Sequence, residues 1–289
     1  MPEWTAAELP SFARRTAIVT GANSGLGEVT ARELARVGAH VILAVRNTEK
    51  GKTTAQQMTG DVEVRRLDLQ DLSSVRQFAD GVHTVDVLIN NAGIMATKYA
   101  VTADGFEGQI GTNHLGHFAL TNLLLPKLTD RVVTVSSVFH RMGYISLKDL
   151  NWQSRRYSAW LAYGQSKLAN LLFTSELQRR LDTVGSSMRA LAAHPGFSNT
   201  NLAGHSGRKL DDALMSFGAR LIATDADFGA RQTLYTASQD APANTFVGPR
   251  FGIWGRTQPV GRSWLAKRAA TAAALWELSE QLTSTKFPL

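Results

Sequence analysis

The chain has 289 residues, 44% hydrophobic and 19% charged, which excludes disordered, fibrous and low-complexity classes. It contains no cysteine, which excludes disulfides, thiolate metal centres and a cysteine nucleophile. The net charge is +7, but the basic pairs Arg14-Arg15, Arg65-Arg66, Arg155-Arg156, Arg179-Arg180 and Lys267-Arg268 are scattered, so a nucleic-acid partner is not expected. The opening MPEWTAAELPSFARRTAIVTG has no basic leader ahead of an apolar core. No run approaches the roughly 18 apolar residues of a membrane span. We therefore expect a cytoplasmic protein without a transmembrane segment.

In chain order, TAIVT (16–20) predicts a first strand, followed by a helix from about Gly25. HVILAV (40–45) predicts a second strand, with a helix after Asn47. VEVRRLDL (62–69) and DVLIN (86–90) predict the third and fourth strands. A helical stretch runs from about Asp104 to Leu128, and RVVTVSS (131–137) reads as a fifth strand. The helix holding Tyr163 follows, then RALAAH (189–194) and TFVGP (245–249) as sixth and seventh strands. This alternation predicts an α/β fold: one doubly wound parallel sheet of about seven strands with helices on both faces, spanning residues 1–289 as a single domain. Two segments interrupt the pattern, the polar insert 138–158 and the substrate loop 197–225. Each follows the C-terminal end of a strand, where open α/β sheets bind ligands.

Between the first strand and first helix lies TGANSGLG, with Gly21, Gly25 and Gly27. Glycines there permit a tight turn and close approach of the main chain to a pyrophosphate, while the helix N-terminus offers oriented N–H groups. The spacing is G-x-x-x-G-x-G, not the general dinucleotide pattern G-x-G-x-x-G. At the end of the second strand, where a carboxylate would take the ribose hydroxyls of NAD, the sequence has Val45 and then Arg46. A guanidinium suits a 2′-phosphate, so we expect NADP(H) to be preferred, with NAD(H) possible.

TGANSGLG, NNAG (90–93), NHLG (113–116), VVTVSS (132–137), YGQSK (163–167) and HPG (194–196) occur in the order found in the short-chain dehydrogenase/reductase family. The chain resembles the single-domain, Rossmann-type branch of that family. It is most similar to the retinol dehydrogenase-like group, through NNAGIM, TADGFE, NHLGHFALTNLLLP, SKLANLLFTSEL and LWELSEQL. The gap of 26 residues from Ser137 to Tyr163 is longer than in most of the family and is shared by that group.

The resemblance implies cofactor contacts from Gly21, Asn23, Ser24, Gly25, Leu26, Gly27 and Arg46, with Asp68 and Leu69 at the adenine. It implies that Asn91, Ala92 and Gly93 line the adenosine side, and that Pro195, Gly196, Ser198 and Thr200 surround the nicotinamide carboxamide. Ser137 would orient the substrate carbonyl, Tyr163 would be the general acid/base, Lys167 would hold the nicotinamide ribose, and Asn113 would complete a proton relay. Homo-oligomerisation is a further implication.

The spacing of Tyr163 and Lys167 has its own logic. On a helix, residues four apart share a face. A tyrosine with a pKa of about 10 is a poor base near neutrality, and a nearby cation would lower that value. Gly164 and Ser166 leave room near the reacting centre. His114 and His117 could suggest a metal pair, but no carboxylate completes a ligand set, so no metal site is expected.

Trp152, Tyr157 and Trp160, with Phe246, Phe251 and Trp254, either line an apolar substrate pocket or pack the variable segments onto the sheet. The expected activity is hydride transfer between NADP(H) and a lipophilic aldehyde, ketone or secondary alcohol, in the class EC 1.1.1.-. Light-dependent protochlorophyllide reductases share NHLG and Y-x-x-x-K but rely on a cysteine that this chain lacks. A catalytically idle nucleotide-binding scaffold conflicts with the complete set of Asn113, Ser137, Tyr163 and Lys167.

Overall fold

The computed structural model describes residues 3–196 and 226–289. The expected substrate loop 197–225, with Ser198 and Thr200, lies outside the described residues.

The strands are β1 (Thr16–Thr20), β2 (His40–Val45), β3 (Asp61–Arg66), β4 (Val85–Asn90), β5 (Leu128–Val135), β6 (Arg189–Ala193), β7 (Phe246–Pro249) and β8 (Thr257–Pro259). They form one sheet in the order β3-β2-β1-β4-β5-β6-β7-β8. Neighbours pair in parallel, except that β8 runs antiparallel to β7. The eighth strand adds to the seven expected. Its three residues, TQP, are too short and too polar to stand out as a strand in sequence.

The strands are apolar on both faces because both are covered. In β1, Ala17 and Val19 enter one core cluster while Ile18 enters the other, and Val41 and Leu43 alternate with Ile42 and Ala44 in β2. Helices α1 (Gly25–Arg36) and α7 (Ala226–Ser238) pack on the first face. Helices α3 (Leu72–Asp80), α5 (Gly116–Leu124), α6 (Ala159–Thr183) and α8 (Ala269–Thr283) cover the second. Capping sets the starts of two helices: the Asn47 side chain accepts from the Lys50 N–H of α2 (Thr48–Ala55), and Asp71 accepts from Ser73 and Ser74 in α3. On the second face Trp276 of α8 stacks on Phe173 of α6 (5.6 Å) and meets Phe118 of α5 edge-on (4.8 Å). Each such pair adds about 0.5–1.5 kcal/mol beyond area burial.

The expected helix from 104 to 128 is shorter and broken. Its helical residues begin at α4 (Gly108–Ile110), widen into a π turn over Gly111–Leu115, continue as α5 and end in a 3-10 turn, Leu125–Lys127. Pro126 and the residues around it fit that termination. The insert is irregular, as expected, after a 3-10 turn over Val138–Met142. Even so, Ile145, Leu150 and Trp152 are buried, so much of it is packed chain and not a free lid. No helix among the described residues is long and apolar enough to cross a membrane.

Strand order reverses between β1 and β4, which opens a crevice at the carboxyl ends of those strands. The glycine turn, the NNAG segment and the start of α6 all face that crevice.

Candidate functional site

A cavity of about 560 Å³ runs along the crevice. Of the residues expected to hold a cofactor, Gly21, Asn23, Ser24, Gly25, Leu26, Gly27, Arg46, Asp68, Leu69, Asn91, Ala92, Gly93, Tyr163, Lys167 and Pro195 line it. Gly196 sits at the end of the HPG turn with φ +76°, its N–H directed at the buried His194 Nδ1 (3.3 Å).

The cradle at one end fits a pyrophosphate. Gly21 and Gly25 take left-handed φ values of +68° and +54°. A Cβ on Gly27 would lie 2.5 Å from Asn91 Nδ2 and 2.6 Å from the Gly21 carbonyl oxygen, so the turn closes only without a side chain there. Helix α1 starts at Gly25 with no side chain capping its first N–H groups, which leaves them available to an anion. Arg46 stands exposed at the cavity wall, and Lys50, in the first turn of α2, lines the same wall. Sequence reasoning missed Lys50, although its spacing of four from Arg46 was readable.

Thr20 was missed as well. It ends β1, and its Oγ1 accepts the N–H groups of Asn91 and Ala92 (2.9 Å each), while its carbonyl accepts from Asn91 Nδ2 (2.8 Å). The same hydroxyl is 2.9 Å from His117 Nε2, and His117 Nδ1 lies 3.1 Å from the Asn113 carbonyl. His114 turns away to Ser279 (2.9 Å). The two histidines therefore serve separate hydrogen bonds.

At the other end, Ser137, Tyr163, Lys167 and Asn113 converge. Ser137 follows β5, and its hydroxyl caps the 3-10 turn by accepting from Phe139 N–H (3.3 Å). Tyr163 and Lys167 lie one turn apart on α6, both buried. Lys167 Nζ donates to the Val135 carbonyl (3.1 Å) and sits 5.7 Å from the Tyr163 ring centre. Asn113 lies in the π turn, a distortion common at functional sites. Its Oδ1 accepts from Ile94 N–H (2.8 Å), and its Nδ2 donates to the Ile94 carbonyl and to Ser166 Oγ (2.9 Å each). Ser136 bonds the Lys167 carbonyl (2.8 Å), a second support that the motif reading passed over.

The electrostatics depart from expectation. Burial pushes the Tyr163 phenol up to about 12, with the neighbouring Ser137 hydroxyl pulling the other way. Burial likewise brings Lys167 down to about 8. The phenol moves opposite to the direction expected from the lysine, because desolvation of the phenolate dominates.

Gly164 does not open space at the reacting centre either. A Cβ on Gly143 of the insert would fall 2.2 Å from the Gly164 carbonyl oxygen, so the glycine pair lets the insert cross α6 in direct backbone contact. Ser166 is occupied in bonding Asn113 and the Tyr163 carbonyl.

The aromatic residues divide. Trp152 and Phe246 are buried packing, whereas Trp160 stacks on Phe139 (5.2 Å), whose ring meets that of Tyr163 (5.8 Å). Phe251 and Trp254 are exposed and pack on each other (4.5 Å).

A glycine turn at a helix N-terminus at the switch point of a parallel sheet, with Tyr163 and Lys167 lining the same cavity and Ser137 beside the phenol, defines a class, and sequence comparison agrees. The chain belongs to the short chain dehydrogenase family, whose model matches residues 15–211. It is 50% identical to human retinol dehydrogenase 13 over 206 residues, which cover 67% of this chain and 62% of that protein. Against human retinol dehydrogenase 12 it is 40% identical over 289 residues, 94% of this chain and 87% of the relative. A crystal structure of a protein from Mycobacterium paratuberculosis, 71% identical, superposes with a TM-score of 0.91 over all of both chains.

Proposed function

We propose that this protein is an NADP(H)-dependent oxidoreductase that interconverts a carbonyl and an alcohol, with residues 1–289 acting as one domain. The observation that carries the reading is that Tyr163 and Lys167 line the same cavity as the glycine cradle, with the Ser137 hydroxyl beside the Tyr163 phenol. NADP(H), when bound, supplies or accepts the hydride. The cradle and the first N–H groups of α1 would hold its pyrophosphate, and Arg46 with Lys50 its 2′-phosphate. Asn91, Ala92 and Gly93 would lie along the adenosine, and Pro195 and Gly196 beside the carboxamide.

Ser137 donates to the substrate oxygen, a bond that strengthens as negative charge gathers there. Tyr163 then delivers its proton to that oxygen. Its elevated pKa keeps the phenol protonated near neutrality, which suits carbonyl reduction. Lys167 would anchor the ribose, and its bond to the Val135 carbonyl keeps Nζ close to the reacting end. The stacked Phe139 and Trp160 beside the phenol favour a lipophilic substrate, and the names of the retinol dehydrogenase relatives point the same way. Cytoplasmic location and homo-oligomerisation belong to this reading as expectations.

The test is consumption of NADPH and NADH, in parallel, with a panel of lipophilic aldehydes and ketones that includes retinal. Turnover favouring NADPH is the expected result. Failure to turn over any of them, with tight NADPH binding, would favour a scaffold role. Replacing Arg46 by Ala should cut the preference for NADPH over NADH by about 10- to 100-fold, the worth of lost charge-assisted hydrogen bonds. An unchanged preference in that variant would remove Arg46 from the 2′-phosphate site.

A further inference from the structure

A second carboxamide near the reacting end has no part in the chemistry described above. Gln109 precedes Asn113 by four residues in the same helical run, and the two amides bond in parallel. Asn113 holds the main chain of Ile94 and reaches Ser166 of α6. Gln109 Oε1 accepts from the Ala96 N–H (2.8 Å), and its Nε2 donates to the carbonyl of Ala159, the first residue of α6 (2.9 Å). Each amide ties the segment after β4 to the helix that carries Tyr163.

Ala96 needs such a hold. It is 2% exposed and has φ +50°, a left-handed conformation that side chains disfavour. The neighbouring Ile94 and Thr97 line the cavity. At the other end of the link, the Ala159 carbonyl is also the regular α-helical acceptor for the N–H of Tyr163, four residues on. Gln109 and the main chain of Tyr163 thus meet on one oxygen.

The bonds continue into the insert. Gln109 Nε2 also donates to the Tyr157 hydroxyl (2.8 Å), which in turn donates to the wholly buried Glu107 carboxylate (2.9 Å) and lies 3.1 Å from the Thr97 carbonyl. Glu107 accepts as well from the N–H groups of Gln109 and Ile110, and its own N–H bonds Asn151 of the insert.

We propose that Gln109, backed by Tyr157 and Glu107, is a positioning residue that fixes the Ile94–Thr97 wall and the first turn of α6 against each other and so aims the Tyr163 phenol. This rests on the reading of Tyr163 given above.

Three variants test it on a carbonyl that the wild type reduces with NADPH. Gln109→Leu is expected to lower kcat by about 10- to 100-fold, the penalty for a displaced catalytic group, with NADPH affinity and KM within about threefold of wild type. Tyr157→Phe, which keeps the ring and loses one link, should fall between. Gln109→Glu should regain turnover as pH falls, because a protonated carboxyl restores a donor. Hydrogen exchange at the Ala96 amide, which needs no substrate, should quicken in Gln109→Leu.

A kcat within about twofold of wild type in Gln109→Leu would overturn the proposal. So would a loss of kcat matched by an equal loss of NADPH affinity and thermal stability, the mark of a merely structural residue. Wild-type protein without carbonyl turnover, or a fully active Tyr163→Phe variant, would instead overturn the parent reading and this one with it.

Discussion

Tyr163→Phe is expected to reduce carbonyl turnover by about 10²- to 10⁴-fold, the usual contribution of a positioned general acid. The substitution is clean because the ring stays. It is buried against Phe139, with Lys167 Nζ 5.7 Å from the ring centre, so only the hydroxyl next to Ser137 is lost. NADPH affinity should hold within about threefold, since the cradle and the Arg46 wall lie at the other end of the cavity. Fluorescence titration of NADPH and single-turnover oxidation, run on both proteins, separate binding from chemistry. Turnover close to that of the wild type would remove Tyr163 from the reaction.

The second large effect is a steep loss of stability in acid. Among the described residues four histidines are buried, and burial is the main cause that brings His114 and His194 down to about 3 and His117 and His140 down to about 4. Like charges add to it: His117 acts on His114, Lys167 on His117, Arg141 on both His140 and His194. Their folded-state pKa values lie below the unfolded value of 6.5, so the unfolded chain binds protons that the native state refuses. Stability from this source is complete above about pH 6.5 and is lost as pH falls toward about 4. Each histidine contributes a slope of about 1.4 kcal/mol per pH unit, and four acting together exceed any single substitution considered above.

Glu107 opposes the trend weakly, since burial raises its pKa and its protonation favours the folded state in acid. Urea unfolding from pH 8 to pH 5 measures the slope. His114→Gln, which can still reach Ser279, should flatten it by about one proton. A free energy of unfolding that stays level across this range would contradict the assignment.

The fold could be read from the sequence, and so could most of the residues that line the cavity. Strands β1, β2 and β4 carry the apolar runs AIV, VILAV and VLI, and such runs tell of a sheet covered on both faces. The candidate cofactor residues stood out because a turn that closes around a pyrophosphate demands glycine at fixed places. What could not be read was set by partners distant in sequence. The π turn at Asn113 has no local signature, since it arises where Asn113 must meet both Ile94 and Ser166. The elevated Tyr163 phenol depends on burial, which spacing does not reveal. Thr20 and Gln109 look ordinary in sequence and acquire their roles from the main-chain groups that surround them.

The two borders of the sheet bear on how the protein behaves when concentrated. β3 closes one side with a charged stretch in which Arg65 grips Glu63 and the Gly81 carbonyl, and Asp61 pairs with His40 of the next strand. β8 closes the other with three residues, the last a proline that offers no N–H. Neither border presents a long, flat, apolar row of open main-chain groups, the feature that recruits stray strands into fibrils. The same sheet that builds a cleft at its centre is therefore poor at seeding aggregation along its rims.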